Sequence, residues 1–254
     1  MVREGVLILI KELAKMIKEC NSIVFFGGAG VSTESGVKDY RSADGLYNTI
    51  SEFGVSPETI LSHTFFTQNP QKFYEFYRKY FIIDVEPNAA HRSLAELEKM
   101  GKLKAIVTQN IDGLHQKAGS QTVLELHGTA EEFECKYCGK KQEQSEILNL
   151  IKNGQVPRCN RCNTVAKPKV VLYEEMLDEN TTEKAIEAIS GADMLIVGGT
   201  SLVVYPAASF VRYFKGKHLV IINKTETDFD QNADLVIREN IGEVFEKVMK
   251  MVRV

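Results

Sequence analysis

Ser22-Ile23-Val24-Phe25-Phe26-Gly27-Gly28-Ala29-Gly30 sets the reading of the whole chain. An unbroken apolar, aromatic and β-branched run that stops at glycines is the pattern of a strand buried on both faces, since a half-exposed strand would alternate. Strands of that kind belong to parallel sheets, which need a helix between successive strands. Working outward, similar short runs occupy 104–108, 122–126, 194–197, 219–222 and 235–237, with helical spacing over 91–100 and 181–189. Upstream, Leu7, Ile10, Leu13, Ala14 and Ile17 recur every three or four residues, the core-facing stripe of a first helix. The fold class expected is α/β, a Rossmann-like doubly wound parallel sheet with a smaller lobe.

Two stretches interrupt the alternation. Residues 38–88 are rich in Phe and Tyr and helical in pattern, and residues 129–169 carry paired cysteines. The expected division is therefore a large lobe over about 1–37, 89–128 and 170–254, with a helical insertion (38–88) and a zinc module (129–169) forming the small lobe over the carboxyl edge of the sheet, where open α/β sheets bind ligands.

Composition narrows the classes of function. The 254 residues are 44% hydrophobic and 26% charged, with 18 glycines, 6 prolines and a net charge of −3, which excludes disordered and fibrous chains. No apolar run approaches the roughly 18 residues of a membrane span, so no membrane association is expected. The apolar stretch 5–10 is followed at once by Lys11 and Glu12, without a small-residue cleavage site, and the expected compartment is the cytoplasm.

Cys135-x-x-Cys138 and Cys159-x-x-Cys162 stand 20 residues apart, a spacing that supplies four thiolates tetrahedrally to one structural Zn²⁺. Four unrelated thiols or a redox dithiol account for less of the pattern. Between Cys135 and Lys169 lie six Lys and two Arg against two Glu, a local +6 that leaves −9 for the rest of the chain. A solvated basic face explains this more simply than a nucleic-acid surface, and nucleic acid is not expected as a partner.

Gly28, Ala29 and Gly30 form a turn whose N–H groups could approach a pyrophosphate at the N-terminus of the next helix. Thr33 replaces the third glycine of G-x-G-x-x-G, so the turn alone fits a structural role as well as a cofactor loop. The polar segment Ser35-Gly36-Val37-Lys38-Asp39-Tyr40-Arg41-Ser42 is better suited to closing over a ligand than to burial. Thr108-Gln109-Asn110-Ile111-Asp112-Gly113-Leu114-His115 and Glu125-Leu126-His127-Gly128 both place polar side chains just past strand ends, and His127 is delivered there beside a glycine. His63, His91 and His218 read as packing or surface residues.

Taken together, the segments 28–42, 108–115, 126–128, the four cysteines, 199–207 and Ile222-Asn223 resemble the sirtuins, NAD-dependent protein-lysine deacylases, of the bacterial or archaeal single-domain type. The resemblance implies that Gly28, Ala29, Gly30, Thr33, Asp39, Tyr40 and Arg41 form the cofactor-binding loop. It implies that Gln109, Asn110, Ile111 and Asp112 line the nicotinamide and ribose pocket, and that Gly199, Thr200, Ser201, Asn223 and Asn240 hold the adenosine half. His127, Asn110 and Asp112 take catalytic roles, with His127 also against the cofactor. An acyl-lysine peptide would lie as an added strand between Val171, Tyr173 and Glu174 on one loop and Leu202 and Val204 on another. The implied products are free lysine, nicotinamide and 2′-O-acyl-ADP-ribose, with NAD as cosubstrate, structural zinc, and a monomer as the working unit.

Departures from the family pattern carry expectations of their own. Lys38 stands where a loop-stiffening proline is usual, and Tyr40 adds a hydroxyl to the aromatic that guards the nicotinamide. Glu174 replaces the glycine of F-G-E, adding negative charge beside the peptide groove and predicting a bias toward substrates with Lys or Arg near the acylated residue. Tyr77-Arg78-Lys79-Tyr80 lacks an arginine at the position that pairs with acidic acyl groups, so neutral acyl groups are expected, although Arg78 is only two residues away. The competing functions are a protein mono-ADP-ribosyltransferase sharing the first half-reaction, and a nucleic-acid-binding zinc module.

Overall fold

Strand β1 (Ile23–Gly27) is buried at every position, as its unbroken apolar run requires, and it sits third in a six-stranded parallel sheet ordered β3-β2-β1-β7-β8-β9. The computed structural model describes residues 2–39, 45–46 and 50–253. Helix α1 (Val2–Glu19) precedes β1; α2 (Ile50–Phe53), α3 (Pro57–Ile60), α4 (His63–Gln68) and α5 (Pro70–Tyr80) form the first insertion. Then come α6 (Ala89–Lys99), β2 (Leu103–Thr108), α7 (Leu114–Lys117) and β3 (Val123–Glu125). The second insertion holds β4 (Gly128–Glu134), β5 (Lys141–Gln142), α8 (Gln144–Lys152) and β6 (Lys167–Val170). The chain returns through α9 (Glu179–Ser190), β7 (Met194–Gly198), β8 (His218–Ile222), β9 (Leu235–Ile237) and α10 (Ile241–Val252).

Register decides where the site forms. Gly27 lies opposite Thr108 and Gly198, Thr108 opposite Glu125, and Gly198 opposite Ile222, which in turn faces Ile237. All six strands therefore end on one line, and the segments 28–42, 108–115, 126–128, 199–207 and 222–223 begin on it or one residue past it. The chain reverses its direction of winding between β1 and β7, which is the crevice where doubly wound sheets bind ligands.

One sheet face is covered by α1, α6 and α10 through Ile10, Leu13, Leu94, Leu97, Phe245 and Val248; the other by α9 and the segment 207–213 through Ile189, Phe210 and Val211. Helix α10 is not among the expected elements, although Ile241, Val244, Phe245, Val248 and Val252 recur at helical spacing and are all buried.

A third core joins the two insertions: Phe66, Phe73, Tyr74, Phe76 and Tyr77 pack with Phe133, Ile147, Ile151 and Val170. The run expected as a strand over 122–126 ends at Glu125, and a new antiparallel sheet, β5-β4-β6, starts at Gly128. Glycine is required at that corner. Its φ is +70°, and a Cβ there would lie 2.0 Å from the Lys169 carbonyl oxygen.

Candidate active site and metal centre

The glycine turn is built for contact between two backbones. Gly30 N–H donates to Gly199 O at 2.8 Å and Gly28 N–H to Gly198 O at 3.2 Å. A Cβ on Gly28 would meet the Thr200 side chain at 2.7 Å, and one on Gly199, whose φ is +59°, would meet Val31 N at 2.3 Å. The expected helix N-terminus after this turn is absent: Ala29–Val31 and Thr33–Ser35 are short 3₁₀ turns. The Thr33 hydroxyl donates back to Gly30 O at 3.0 Å, and Gly36 at φ +93° ends the second turn. Ala29, Gly30 and Thr33 stay partly exposed along the crevice, and Asp39 O accepts the Leu46 N–H at 2.8 Å. Tyr40 and Arg41 lie outside the described residues.

Beyond β2, a network of short-chain polar groups is assembled inside the protein. Ser32, fully buried, donates its hydroxyl to Asp112 Oδ2 at 2.6 Å and receives the Asn110 Nδ2–H at 3.1 Å. Leu114 N–H holds the other carboxylate oxygen at 3.0 Å, in a turn that Gly113 closes at φ +68°. Burial pushes the Asp112 carboxyl above its ordinary range, and the bonds from Ser32 and Leu114 act in the opposite direction. His91 Nε2 lies 3.5 Å from Ser32 Oγ, and burial brings His91 down to about 4. His91 is fully buried, as a packing residue is, and its Nδ1 accepts Asn88 N–H at 3.2 Å; Ser32 is the member of the network to which the sequence analysis gives no role, and its signal was a Ser inside a glycine-rich turn. Ile111, half-buried, uses its carbonyl to accept Ala130 N–H at 2.9 Å, tying the pocket to the small-lobe core.

His127 stands at the Gly128 corner with its Nδ1 2.9 Å from Gln109 O. A carbonyl oxygen can only accept, so the ring proton resides on Nδ1 and the Nε2 lone pair is available as a base. Burial lowers the His127 pKa, with the Gln109 carbonyl partly offsetting it, so the ring is neutral at pH 7. The Gln109 side chain donates to Thr200 Oγ1 at 3.1 Å, and the same oxygen accepts Leu202 N–H at 3.2 Å, linking the ends of β2 and β7. Glu125, the last residue of β3, is another group that sequence reasoning missed. Burial first, and then Glu131 and Asp112, raise it to about 7.

At the far end of the crevice, Asn223 follows β8 and turns its amide to Thr225 O at 2.9 Å. Asn240 stands at the N-cap position of α10 and donates to Glu243 at 3.0 Å, leaving the helix backbone uncapped by its own residue. The cap comes from Glu34, whose Oε1 accepts Gly242 N–H at 2.7 Å. Ser201 lies partly exposed between Thr200 and Leu202.

The two loops assigned to peptide binding are anchored differently. Val171 N–H donates to His127 O at 2.8 Å, while Tyr173 is bound to 61–63 through Leu61 O and His63 N–H, both at 3.0 Å. Glu174 has a left-handed backbone and an exposed side chain. On the opposite loop Leu202 buries its side chain in the core, Val203 is exposed, and Val204 O accepts Ala208 N–H at 2.9 Å.

Cys135, Cys138, Cys159 and Cys162 converge with all four sulfurs within 4.8 Å of one another. Neighbouring sulfurs stand 3.4, 3.6 and 3.7 Å apart. Tetrahedral Zn–S bonds of about 2.3 Å put sulfurs roughly 3.8 Å apart, so the donor set and its size fit zinc with no open position for water. Cys135 and Cys162 lie 3.0 and 3.1 Å from the Thr164 hydroxyl. Much of the basic excess of residues 135–169 is matched by carboxylates just outside that stretch: Lys136 pairs with Glu134, Lys141 and Lys169 with Glu132, and the fully buried Lys167 with Glu175.

The Sir2 family profile matches residues 28–206. The NAD-dependent protein deacetylase of Clostridium acetobutylicum is 55% identical over 241 residues, covering 94% of this chain and 98% of that one. The protein of the same name from Clostridium perfringens is 54% identical over 242 residues, at 94% and 98% coverage. Among solved structures, one described as "Structural Basis for the Mechanism and Regulation of Sir2 Enzymes" superposes with a TM-score of 0.88 at 40% identity, covering 96% of this chain and 97% of its own. Another, "Sir2-p53 peptide-NAD+", gives 0.85 at 37% identity, with 95% and 97% covered. Profile, relatives and superposition thus agree over both lobes, and this chain belongs to the Sir2 family.

Proposed function

We propose that this chain is an NAD-dependent protein-lysine deacetylase that removes neutral acyl groups, with nicotinamide and 2′-O-acyl-ADP-ribose as products. The observation that carries the reading is His127: a neutral imidazole with its proton fixed on Nδ1 by Gln109 O, beside the buried Ser32–Asn110–Asp112 network. In this assignment Asp112 and Asn110 orient the carboxamide of the leaving nicotinamide, and Ile111 excludes water at that end. The acyl oxygen would displace nicotinamide from the ribose C1′, His127 Nε2 would accept the proton of a ribose hydroxyl as that oxygen bonds to the acyl carbon so activated, and water would complete release of the lysine amine and the ester. Gly28, Ala29, Gly30, Thr33, Asp39, Tyr40 and Arg41 cover the diphosphate and nicotinamide ribose. Gly199, Thr200, Ser201, Asn223 and Asn240 receive the adenosine, all from the carboxyl line of the sheet.

Support for peptide binding by strand addition comes from Glu174 and Val203, one on each loop. Both are exposed, and among the described residues neither has a hydrogen bond on its N–H or C=O. The preference for neutral acyl groups is supported by Tyr77 and Arg78. Tyr77 is buried and donates to Ala130 O, while Arg78 points outward into a surface groove with Glu52, Lys72 and Glu75. The four thiolates would hold zinc as a structural clamp on the small lobe; the metal supplies no reacting group.

The lobe division proposed is 1–37, 89–128 and 170–254 against 38–88 and 129–169, supported by the separate aromatic core, which also reaches Val170 and Leu172. A monomer is proposed as the working unit. The five cysteines are unpaired, which favours the cytoplasm, and among the described residues no helix is long and apolar enough to cross a membrane.

The test is mass spectrometry of an acyl-lysine peptide panel with and without NAD. Acetyl loss that depends on NAD and yields 2′-O-acetyl-ADP-ribose is expected, and H127Y should abolish it while leaving the thermal transition in place. Label from NAD on protein instead of on the sugar ester would replace this reading with mono-ADP-ribosylation.

A further inference from the structure

Among the described residues only three non-glycine residues, Asn163, Glu174 and Leu202, have positive φ. Two of them occupy the two peptide loops, which is where a left-handed backbone is tolerated when the conformation serves a site. At Glu174 the φ of +75° would suit glycine, and the side chain compensates: its Oε2 accepts Thr64 N–H at 2.9 Å in the first turn of α4. Hydrogen bonds from the Thr64 hydroxyl and then its N–H keep this carboxyl below its ordinary range, so it is ionised at neutral pH.

The neighbouring carboxylate behaves differently. Glu175 is engaged inside the fold, accepting Leu172 N–H and the buried Lys167 Nζ, both at 2.9 Å, with His63 Nδ1 3.0 Å away. Its charge is matched by Lys167, and that of Lys169 by Glu132. Among the described residues no cation is bonded to Glu174, and the opposite loop, Leu202-Val203-Val204-Tyr205, carries no charge.

We infer that Glu174 is a specificity-determining residue: its exposed carboxylate, latched to α4 by Thr64, selects acyl-lysine peptides with Lys or Arg beside the acylated residue. This rests on the deacetylase reading above. The latch makes the charge effective, because a carboxylate fixed at the cleft rim loses little side-chain entropy when a substrate cation pairs with it.

The experiment uses full-length protein, saturating NAD and acetyl-lysine peptides that differ only in Arg, Ala or Glu at the flanking positions. Wild type should favour Arg over Glu flanks about threefold to tenfold in kcat/KM at low ionic strength, with the ratio shrinking toward one at about 1 M salt. E174Q retains an amide oxygen for Thr64 N–H, so it should bring the ratio below about two without shifting Tm. E174A removes the latch but keeps the unfavourable backbone, and should raise KM for every peptide without raising KM for NAD. E174G, whose backbone is at ease in the turn, should raise peptide KM less than E174A while also losing the ratio. Turnover with the same Arg-to-Glu ratio in wild type and E174Q overturns the inference alone. No NAD-dependent turnover of any peptide overturns the deacetylase reading along with it.

Discussion

Substitution of Gly242 by Ala tests whether the two ends of the dinucleotide crevice are fastened together by Glu34. The carboxylate reaches across 208 positions of sequence to the Gly242 N–H at 2.7 Å, and a Cβ on Gly242 would stand 2.5 Å from Glu34 Oε2. Gly242 lies in the first turn of α10 without positive φ, so alanine suits its backbone and should gain up to about 1 kcal/mol in helix propensity. It must also push the carboxylate aside, and losing a side-chain cap costs about 1 kcal/mol. G242A alone should therefore be near neutral, and E34A should cost about 1 kcal/mol, which is roughly 2 to 4 °C in Tm for a chain of this size. In E34A the cap is already gone, so adding G242A gains the propensity without a second loss and should restore Tm to about the wild-type value. The cycle should close with a coupling of about 1 kcal/mol. Thermal or urea unfolding of the four proteins measures it. If G242A shifts stability equally in both backgrounds, the carboxylate is not acting as the cap. The same variants carry a functional readout: Glu34 follows Thr33 in the cofactor loop and Gly242 lies two residues past Asn240, so E34A should raise KM for NAD more than KM for peptide.

Metal removal should act on stability before chemistry: C135A, or a chelator, should lower Tm by several degrees and free one equivalent of zinc, and an unaltered transition would contradict the four-thiolate site. T164V deletes the hydroxyl that contacts two of those sulfurs, and should release zinc faster to a chromophoric chelator while the far-UV spectrum is retained. Because His127 must be neutral to act and burial lowers its pKa, the rate should hold to more acid pH than an ordinary histidine allows, then fall with a slope of one; a fall that begins above the ordinary histidine range would exclude it as the base. Glu125, raised to about 7, binds its proton more tightly in the folded protein than in the unfolded chain. Its stabilising contribution is therefore complete below the unfolded value and lost as pH rises through 7. E125Q should stabilise by about 1 kcal/mol at pH 8, after discounting for partial exposure, and by nothing at pH 4. An equal shift at both pH values would show that the carboxyl is not buried in its charged form.

The large sheet was legible because its central strands are buried on both faces, so β1, β7 and residues 219–222 of β8 appear as uninterrupted apolar runs, short and bounded by turn residues. The antiparallel sheet was not. β4 keeps Glu131 and Glu132 exposed and its apolar side chains are only Ala130 and Phe133, so the strand has neither a continuous run nor a clean alternation. The four metal ligands and the strand-end motifs could be read because short-range spacing carries their chemistry. Ser32, Asn110 and Asp112 could be found only in part, because the hydrogen bonds that make them one network span 78 and 80 positions.

Lys167 shows where such a reading fails in principle. In sequence it is one of six lysines in a basic stretch; in the fold it is fully buried, bonded to Glu175 and to the Val170 carbonyl. A buried ammonium is tolerated only with a partner, and removing either member leaves a stranded charge that costs more than the pair contributes. That asymmetry explains why Glu175 is committed to the interior and Glu174, one residue earlier, is not. Two identical side chains in adjacent positions thereby divide the work of the peptide loop. Glu175 holds the loop to the small lobe from below, and Glu174 holds it to α4 from the side while keeping its charge for the substrate. Net charge over the segment records neither role, since both follow from which cation lies within 3 Å of which carboxylate.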